Sequence, residues 1–361
     1  MQATALLDVS RERGTVPGKA SPLWLLTQQP MVNALVSYLE TQRRAIDAAP
    51  QATHVLSFSR GHLRTVRSEF ADMIRQGEAR LHMLCGLLGR SLFSDYEMQS
   101  VVIGEVPTTQ RRFEHAQRIE QATLFGETDL DLGNRILAQL RCDDGNDWVK
   151  PALVANFVEY QPLVENRHGI HKMISRIKAE EEIWNKVCDE IFRIDELLER
   201  DKELRALSRY VKDVFGVKVV VGTPDDARKL QTTLESLLFE AQDANGDDED
   251  RSGRMRFVEV KDYLGDSGQK QSGWEAIKSV VSWAGGMFEL QIQPLGNYFM
   301  ERERLTRESH AAFKENRERI RNQLAAEYPL MGFYRDLLRW LFLEPKSSPP
   351  RFDGVEIQVC D

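Results

Sequence analysis

A change of sequence period after residue 215 is the feature that most constrains the fold of this chain. The segment GVKVVVG (216–222) is rich in β-branched residues and bounded by glycines, which is typical of an inner β-strand. DDARKLQTTLESLLFEAQD (225–243) then has the spacing of an amphipathic helix, and RFVEVKDY (256–263) returns to a strand pattern. Because strands alternate with helices between about residues 155 and 340, the sequence predicts a domain of the α/β or α+β class.

The last two predicted strands carry an acid in an unusual place. The run 274–293 predicts a hairpin with its turn near Ala284–Gly286. In FELQIQ (288–293), alternate side chains should face the core, which leaves Glu289 on the other face with two glutamines. An unpaired buried carboxylate is costly, so Glu289 must be solvated, paired or bound to a metal.

Asp213 lies just ahead of the inner strand GVKVVVG. Two carboxylates on neighbouring strands suit Mg²⁺, which takes one or two carboxylates and completes its shell with phosphate oxygens and water. In the alternative interpretation Glu289 lies on a solvated sheet face and Asp213 caps a turn. Spacing alone leaves both interpretations open.

Basic and aromatic residues near these strands are candidates for nucleotide contacts. Lys218 shares a strand face of the same kind, Lys261 follows another strand, and Lys270 lies among glycines where backbone can approach a ligand closely. Trp274 either packs in the core or offers a platform for a nucleobase.

A further basic group occurs in RHGIHKMISRIK (167–178). Helical spacing over this segment predicts that Arg167, His171, Ser175 and Lys178 align on the polar side of a helix. An ordinary amphipathic helix with a charged outer side would show the same pattern.

The flanking segments predict three domains. Helical spacing in 30–49 and 60–93 indicates an all-helical N-terminal domain, residues 1–150, whose role the sequence does not disclose. Residues 151–343 form the predicted sheet domain, and residues 344–361 combine a linker with an alternating segment that predicts an edge strand.

Composition excludes several classes of protein. The formal net charge of −8 argues against a general polyanion binder. No run of about 18 apolar residues and no signal-peptide pattern occurs, so we expect a cytoplasmic protein without a membrane span. The four cysteines are scattered without a C-x-x-C pair, which argues against structural zinc and against a disulfide scaffold.

The order of four blocks resembles the synthetase domain of the RelA/SpoT alarmone synthetases. The blocks are DVFGVKVVV (213–221), VKDYLGDSGQKQSGWEAIKSVV (260–281), FELQIQP (288–294) and ESHAAFK (308–314). The resemblance covers about residues 165–320, and the chain looks like a small, synthetase-only relative. It implies an α+β fold with a nucleotidyltransferase-like mixed sheet flanked by helices, and transfer of pyrophosphate from ATP to the 3′-hydroxyl of GDP or GTP.

The resemblance also implies roles for individual residues. Asp213 and Glu289 would hold Mg²⁺, and Glu289 would also activate the attacking hydroxyl. Trp274 would take the place of a tyrosine that stacks on guanine. The residues that match phosphate-binding positions, with an uncertain register for the first four, are Arg167, Lys172, Ser175, Lys178, Lys218, Lys261 and Lys270.

Departures from the family pattern leave the acceptor open. Lys218 and Gln293 replace arginines, and Lys278 replaces a histidine. One alternative is therefore a toxin-type relative that modifies tRNA 3′ ends or adenosine nucleotides, and another is an inactive binding or regulatory protein with the same fold. Oligomeric state and an antitoxin partner cannot be read from the sequence.

Overall fold

A computed structural model describes most of the chain. The described residues are 21–24, 26–27, 29–93, 95–145, 147–193, 210–239, 253–265, 274–307, 319 and 321–361. Lys270 and the block ESHAAFK lie outside them. No helix among the described residues is both long enough and apolar enough to cross a membrane.

The secondary structure comprises both helices and strands from the N-terminal part onward. The helices are α1 (Pro30–Ala48), α2 (Arg60–Leu92), α3 (Gln121–Gly126), α4 (Asp129–Ala138), α5 (Glu180–Ile191), α6 (Pro224–Ser236), α7 (Leu295–Arg307) and α8 (Pro329–Phe342). The strands are β1 (His54–Ser59), β2 (Tyr96–Glu105), β3 (Arg112–Ile119), β4 (Cys142–Asp143), β5 (Trp148–Val149), β6 (Ala152–Pro162), β7 (Ile170–Ile177), β8 (Phe215–Val221), β9 (Arg256–Asp262), β10 (Ile277–Trp283), β11 (Gly286–Pro294) and β12 (Val355–Cys360).

The described residues fall into two compact units that do not follow the predicted boundaries. The first unit lies within Met1–Met73, Trp184–Val211 and Phe333–Asp361, and the second within Ile74–Ile183 and Lys212–Gly332. The prediction of a separate domain that ends at residue 150 is therefore wrong, because both units contain residues before that position.

In the first unit, the C-terminal tail pairs with an early strand. β1 and β12 form a two-stranded parallel sheet, in which His54 pairs with Val355 and Ser59 with Cys360. The predicted tail strand is thus confirmed, but its partner is β1 and not the main sheet. Beside it, the rings of Trp184 and Phe342 stack with their centroids 3.6 Å apart.

The second unit contains an eight-stranded sheet in the order β3-β2-β6-β7-β8-β11-β10-β9. β8 and β11 run parallel, and every other neighbouring pair is antiparallel. The predicted mixed sheet flanked by helices is therefore confirmed. The predicted hairpin is also confirmed: Trp283 pairs with Gly286 across a turn in which Ala284 and Gly285 adopt left-handed backbone conformations.

Two helix predictions are wrong. The first 150 residues are not all helical, because β2 and β3 extend the main sheet and β1 belongs to the small one. The segment 170–177 is the strand β7 and not a helix. β7 lies between β6 and β8 in the interior of the sheet, where apolar side chains can be buried on both faces, so its sequence does not alternate cleanly.

α2 packs closely on the sheet at the strand that follows Asp213. Gly77 of α2 leaves so little room that a Cβ atom there would lie 2.0 Å from the ring of Phe215 in β8. The Phe215 ring in turn lies 6.4 Å from that of Phe288 in β11, measured between centroids. This contact places the apolar face of β8 and β11 against α2, which leaves their other face for polar side chains.

Candidate active site

Cross-strand pairing collects charged residues from six neighbouring strands on one face of the sheet. Directly paired residues point to the same face. One row across the sheet is Glu159, Ile174, Lys218, Gln291, Lys278 and Lys261. The next row on that face is Arg176, Gly216, Glu289, Val280 and Glu259. We call these two rows the charged face.

The alternation predicted for β11 agrees with the structure. Phe288, Leu290 and Ile292 point away from the charged face and are at most 1% exposed. Glu289 lies on the charged face, but it is only 9% exposed, so it is not an acid on an open solvated surface. One of its oxygens accepts a hydrogen bond from Gln291, and the other forms an ion pair with Lys278.

Asp213 precedes β8 and forms an ion pair with Lys178, the residue that follows β7. The Lys178 ammonium lies 2.7 Å from the Asp213 carboxylate, and the Lys178 backbone N–H donates to Val214. The neighbouring Lys212 forms an ion pair with Glu259, which belongs to the same row as Glu289. Contacts on both sides thus direct the segment 212–213 toward the row that contains Glu289.

α7 places one carboxylate against Lys218. Glu301 lies 2.8 Å from the Lys218 ammonium and accepts hydrogen bonds from Gln293 at 2.8 Å and from the Trp274 indole at 3.4 Å. Burial lowers the pKa of Lys218, and the negative charge of Glu301 partly offsets this effect. Trp274 also packs edge-on against the ring of Tyr263, so it is half-buried beside the charged face.

The other predicted phosphate ligands do not all lie on the charged face. Lys172 pairs with Glu159 at 2.7 Å, and Lys261 pairs with Glu259 at 2.9 Å. Ser175 is completely buried and pairs with Val217, which places it on the opposite face. Lys270 lies outside the described residues.

The predicted alignment of Arg167, Ser175 and Lys178 on one helix side is wrong. β7 rises about 3.3 Å per residue, more than twice the rise of a helix, so its two ends lie far apart. Arg167 precedes the start of β7, whereas Lys178 follows its end next to Asp213. Arg167 is exposed, and its guanidinium donates to the ring of His168.

Arg176 is a residue of the charged face that the sequence analysis missed. It pairs with Gly216, which in turn pairs with Glu289. The RelA/SpoT family pattern G-R-x-K-x-x-x-S-I-x-x-K also aligns with its arginine at Arg176. Its lysines then fall on Lys178 and Lys186 and its isoleucine on Ile183, whereas Ser175 and Glu182 replace its glycine and serine. This register was readable from the spacing, but the helical interpretation of 167–178 concealed it.

Low pH should destabilise the protein because the carboxylate of Glu259 becomes protonated. Burial by itself raises the pKa of this carboxyl, but Lys212 and Lys261 outweigh burial and lower the pKa to about 2 from an ordinary 4.5. A depressed folded-state pKa stabilises the protein above pH 4.5, and this stabilisation is lost as the pH falls toward 2. We expect urea midpoints to fall more steeply between pH 4.5 and pH 2 in the native protein than in Glu259→Gln. Parallel declines in the two proteins would contradict this assignment.

Comparisons with known proteins connect the chain to solved structures only. No protein-family model matches the sequence, and neither does any curated protein. Two crystal structures of small alarmone synthetase 1 from Bacillus subtilis, one bound to its product pppGpp, are each 19% identical to this chain. They cover 43% and 44% of this chain and 80% and 82% of the synthetase, with TM-scores of 0.24 and 0.23.

A GTP pyrophosphokinase family protein from Streptococcus pneumoniae is also similar. It is 17% identical, and the match covers 49% of this chain and 73% of that protein, with a TM-score of 0.25. These three matches are, by their names, two small alarmone synthetase structures and one GTP pyrophosphokinase family protein.

Proposed function

We propose that this chain is an ATP-dependent nucleotide pyrophosphokinase that transfers the β,γ-pyrophosphate of ATP to the 3′-hydroxyl of GDP or GTP, which makes (p)ppGpp. The observation that carries the proposal is the charged face. Sequence blocks that lie far apart along the chain contribute to it, namely DVFGVKVVV with Lys218, the KDY segment with Lys261, and FELQIQP with Glu289.

Glu289 on the charged face and Asp213 just ahead of β8 have the chemistry that Mg²⁺ prefers. Asp213 and Glu289 offer carboxylate oxygens, and each now neutralises a lysine, Lys178 and Lys278. Hard oxygen ligands of this kind, completed by phosphate and water, are the usual shell of the ion. When bound, Mg²⁺ would neutralise charge on the transferred phosphates. The two lysines would then be released toward those phosphates.

Glu289 is the residue placed to accept the proton of the attacking hydroxyl. In the proposed step the 3′-oxygen of the acceptor forms a bond to the β-phosphorus of ATP, and the bond between that phosphorus and the α,β-bridging oxygen breaks. The bridging oxygen leaves with its electron pair as part of AMP. The hydroxyl proton passes to Glu289, whose carboxylate forms an ion pair with Lys278.

The cations of the face would stabilise the negative charge that spreads over the phosphates in this step. Phosphoryl transfer depends chiefly on positioning and on positive charge near the phosphate oxygens. Arg176 of β7 pairs with Gly216 of β8, and Lys218 lies two residues further along β8. Of these two cations, Arg176 offers a planar fork of donors. We therefore assign phosphate binding to Arg176, Lys178, Lys218 and Lys261.

A second candidate function is nucleotide binding without transfer, and one observation favours it. Lys218 stands where the family has an arginine, and Glu301 neutralises it. Gln293 replaces a second arginine and also bonds to Glu301. This part of the charged face therefore carries less net positive charge than two arginines would supply.

One assay distinguishes the candidates. Purified protein would be incubated with Mg²⁺ and γ-labelled ATP in separate reactions, each of which contains one acceptor: GDP, GTP, ATP or deacylated tRNA. We expect label on GDP or GTP and stoichiometric release of AMP. Label on tRNA or on ATP alone would replace our acceptor with that of a toxin-type relative. Binding of GDP or GTP without label on any acceptor would support the second candidate.

A further inference from the structure

A buried cluster of three metal-ligating side chains lies away from the charged face. Glu78 and His82 are one turn apart on α2, and Asp129 is the first residue of α4. One ligand atom from each lies within 4.8 Å of the others. The three residues are 5%, 2% and 5% exposed, so the cluster is almost completely shielded from solvent.

His82 hydrogen-bonds directly to Asp129, and the separations within the cluster lie near those between the ligands of a small cation. His82 Nε2 lies 2.9 Å from an Asp129 oxygen and 3.9 Å from a Glu78 oxygen. Ligands placed tetrahedrally at about 2.0–2.2 Å from a zinc-type ion lie about 3.4 Å apart. The two observed distances lie on either side of this value, so small shifts of the side chains would admit such an ion.

The charges in the cluster do not balance without a cation. Two carboxylates surround one imidazole, so even a protonated His82 leaves a net charge of −1 in a buried place. Within the described part of the chain, neither Glu78 nor Asp129 pairs with a lysine or arginine. The Asp129 backbone N–H donates to Glu78, which adds only a partial positive charge from the start of α4. A divalent cation would compensate the negative charge that the two carboxylates bring into this buried place, where uncompensated charge is costly.

Buried polar groups around the cluster are also incompletely satisfied. Among the described residues, His82 Nδ1 is buried without a hydrogen-bond partner, and the buried Tyr160 hydroxyl has the weakly hydrogen-bonding thiol of Cys85 as its side-chain partner. Burial raises the pKa of Tyr160, and the charges of Cys85 and Asp129 raise it further, which places the phenol within electrostatic reach of the cluster. A water bound to a cation as its fourth ligand would offer such a hydroxyl a partner.

We propose that Glu78, His82 and Asp129 form a structural site for a divalent transition metal of the zinc type. The imidazole nitrogen selects against Mg²⁺ and Ca²⁺, which prefer shells made only of oxygen. The ion would join α2 to α4. Because Asn156 of β6 also donates to the Asp129 carbonyl, the same site would connect both helices to the sheet.

The test is metal content together with thermal stability of the whole chain. After incubation with Zn²⁺ or Mn²⁺ and exhaustive dialysis, we expect about one bound metal ion per chain by mass spectrometry. A strong chelator should lower the melting temperature, and added Zn²⁺ should restore it. Absence of bound metal in the native protein, with no effect of the chelator on melting, would overturn the proposal.

Isosteric variants separate a metal site from a hydrogen-bond network. Glu78→Gln and Asp129→Asn keep the shape of the cluster but weaken its ligands, so we expect metal content to fall at least tenfold. His171→Gln changes an exposed histidine of β7 and should retain the metal. Full metal content in both cluster variants would refute these ligands, and this readout does not depend on pyrophosphate transfer.

Discussion

Glu289→Gln should lower pyrophosphate transfer by a factor of about 10³ while leaving the melting temperature nearly unchanged. The variant keeps the shape of the side chain and the neighbouring Gln291, but it removes the charge that would hold the metal and accept the proton. Asp213→Asn should have an effect of similar size, because it removes the second metal ligand. The measurement is the initial rate of label transfer from γ-labelled ATP to GDP, with circular dichroism melting on the same samples.

The chain offers a closely matched control for this prediction. Glu97 on β2 accepts a hydrogen bond from Gln99, as Glu289 does from Gln291, so both acids belong to the same local E-x-Q arrangement on a strand. β2 and β11 are separated by three strands, so Glu97 lies about 19 Å from Glu289 across the strands, before the offset along them is added. Glu97→Gln should retain full activity. Retained activity in Glu289→Gln or in Asp213→Asn would remove our assignment of the metal and base.

Gly77→Ala should destabilise the protein by about 3 kcal/mol, because its new methyl group overlaps a buried ring. The added Cβ would lie 2.0 Å from Cζ of Phe215 and 2.3 Å from a second ring atom. Alanine has a helix propensity up to about 1 kcal/mol better than glycine, which offsets only part of this cost. Urea unfolding followed by circular dichroism measures the difference.

Gly86→Ala is the control on the same helix. The nearest atoms to its added Cβ are side-chain nitrogens of Gln121 and Arg90 at 3.5 and 3.6 Å, which are ordinary contacts. We expect this variant to be unchanged or more stable by up to about 1 kcal/mol. Combining Gly77→Ala with Phe215→Leu should recover part of the lost stability, since the smaller side chain gives the methyl group room. Equal stabilities for Gly77→Ala and Gly86→Ala would show that the ring moves aside without cost.

The sequence predicted most of the β8–β11 region because local patterns determine it. The glycine-bounded valine run, the hairpin turn and the alternation in FELQIQ each depend on residues close together in the chain. The same alternation placed Glu289 and Lys218 on the face opposite Phe288. The position of this face therefore followed from side-chain period alone.

β7 could not be read in the same way. Its apolar residues Ile170, Met173, Ile174 and Ile177 have helical spacing by coincidence, because an interior strand is covered on both faces and need not alternate. β2 and β3 were missed beside the long periodic helices α1 and α2, which dominate the N-terminal sequence.

The ion-pair partners of the site residues could not be predicted from sequence patterns either. Lys218 binds Glu301, which lies 83 residues later in the sequence, and Lys178 binds Asp213, which lies 35 residues later. No local period encodes such pairs, because they arise only when the strands and α7 come together. The Glu78, His82 and Asp129 cluster was missed for the same reason, since α4 supplies its third member.

The parallel pairing of β8 with β11 has a consequence for the order in which the molecule folds. β11 joins β10 through a two-residue turn, so their hairpin closes a very short loop and can form within microseconds. Gly216 and Glu289, in contrast, become neighbours only after a long intervening segment has been enclosed. Chain closure of that length is slow, so we expect the pairing of β8 with β11 to be completed late, after the hairpin already exists.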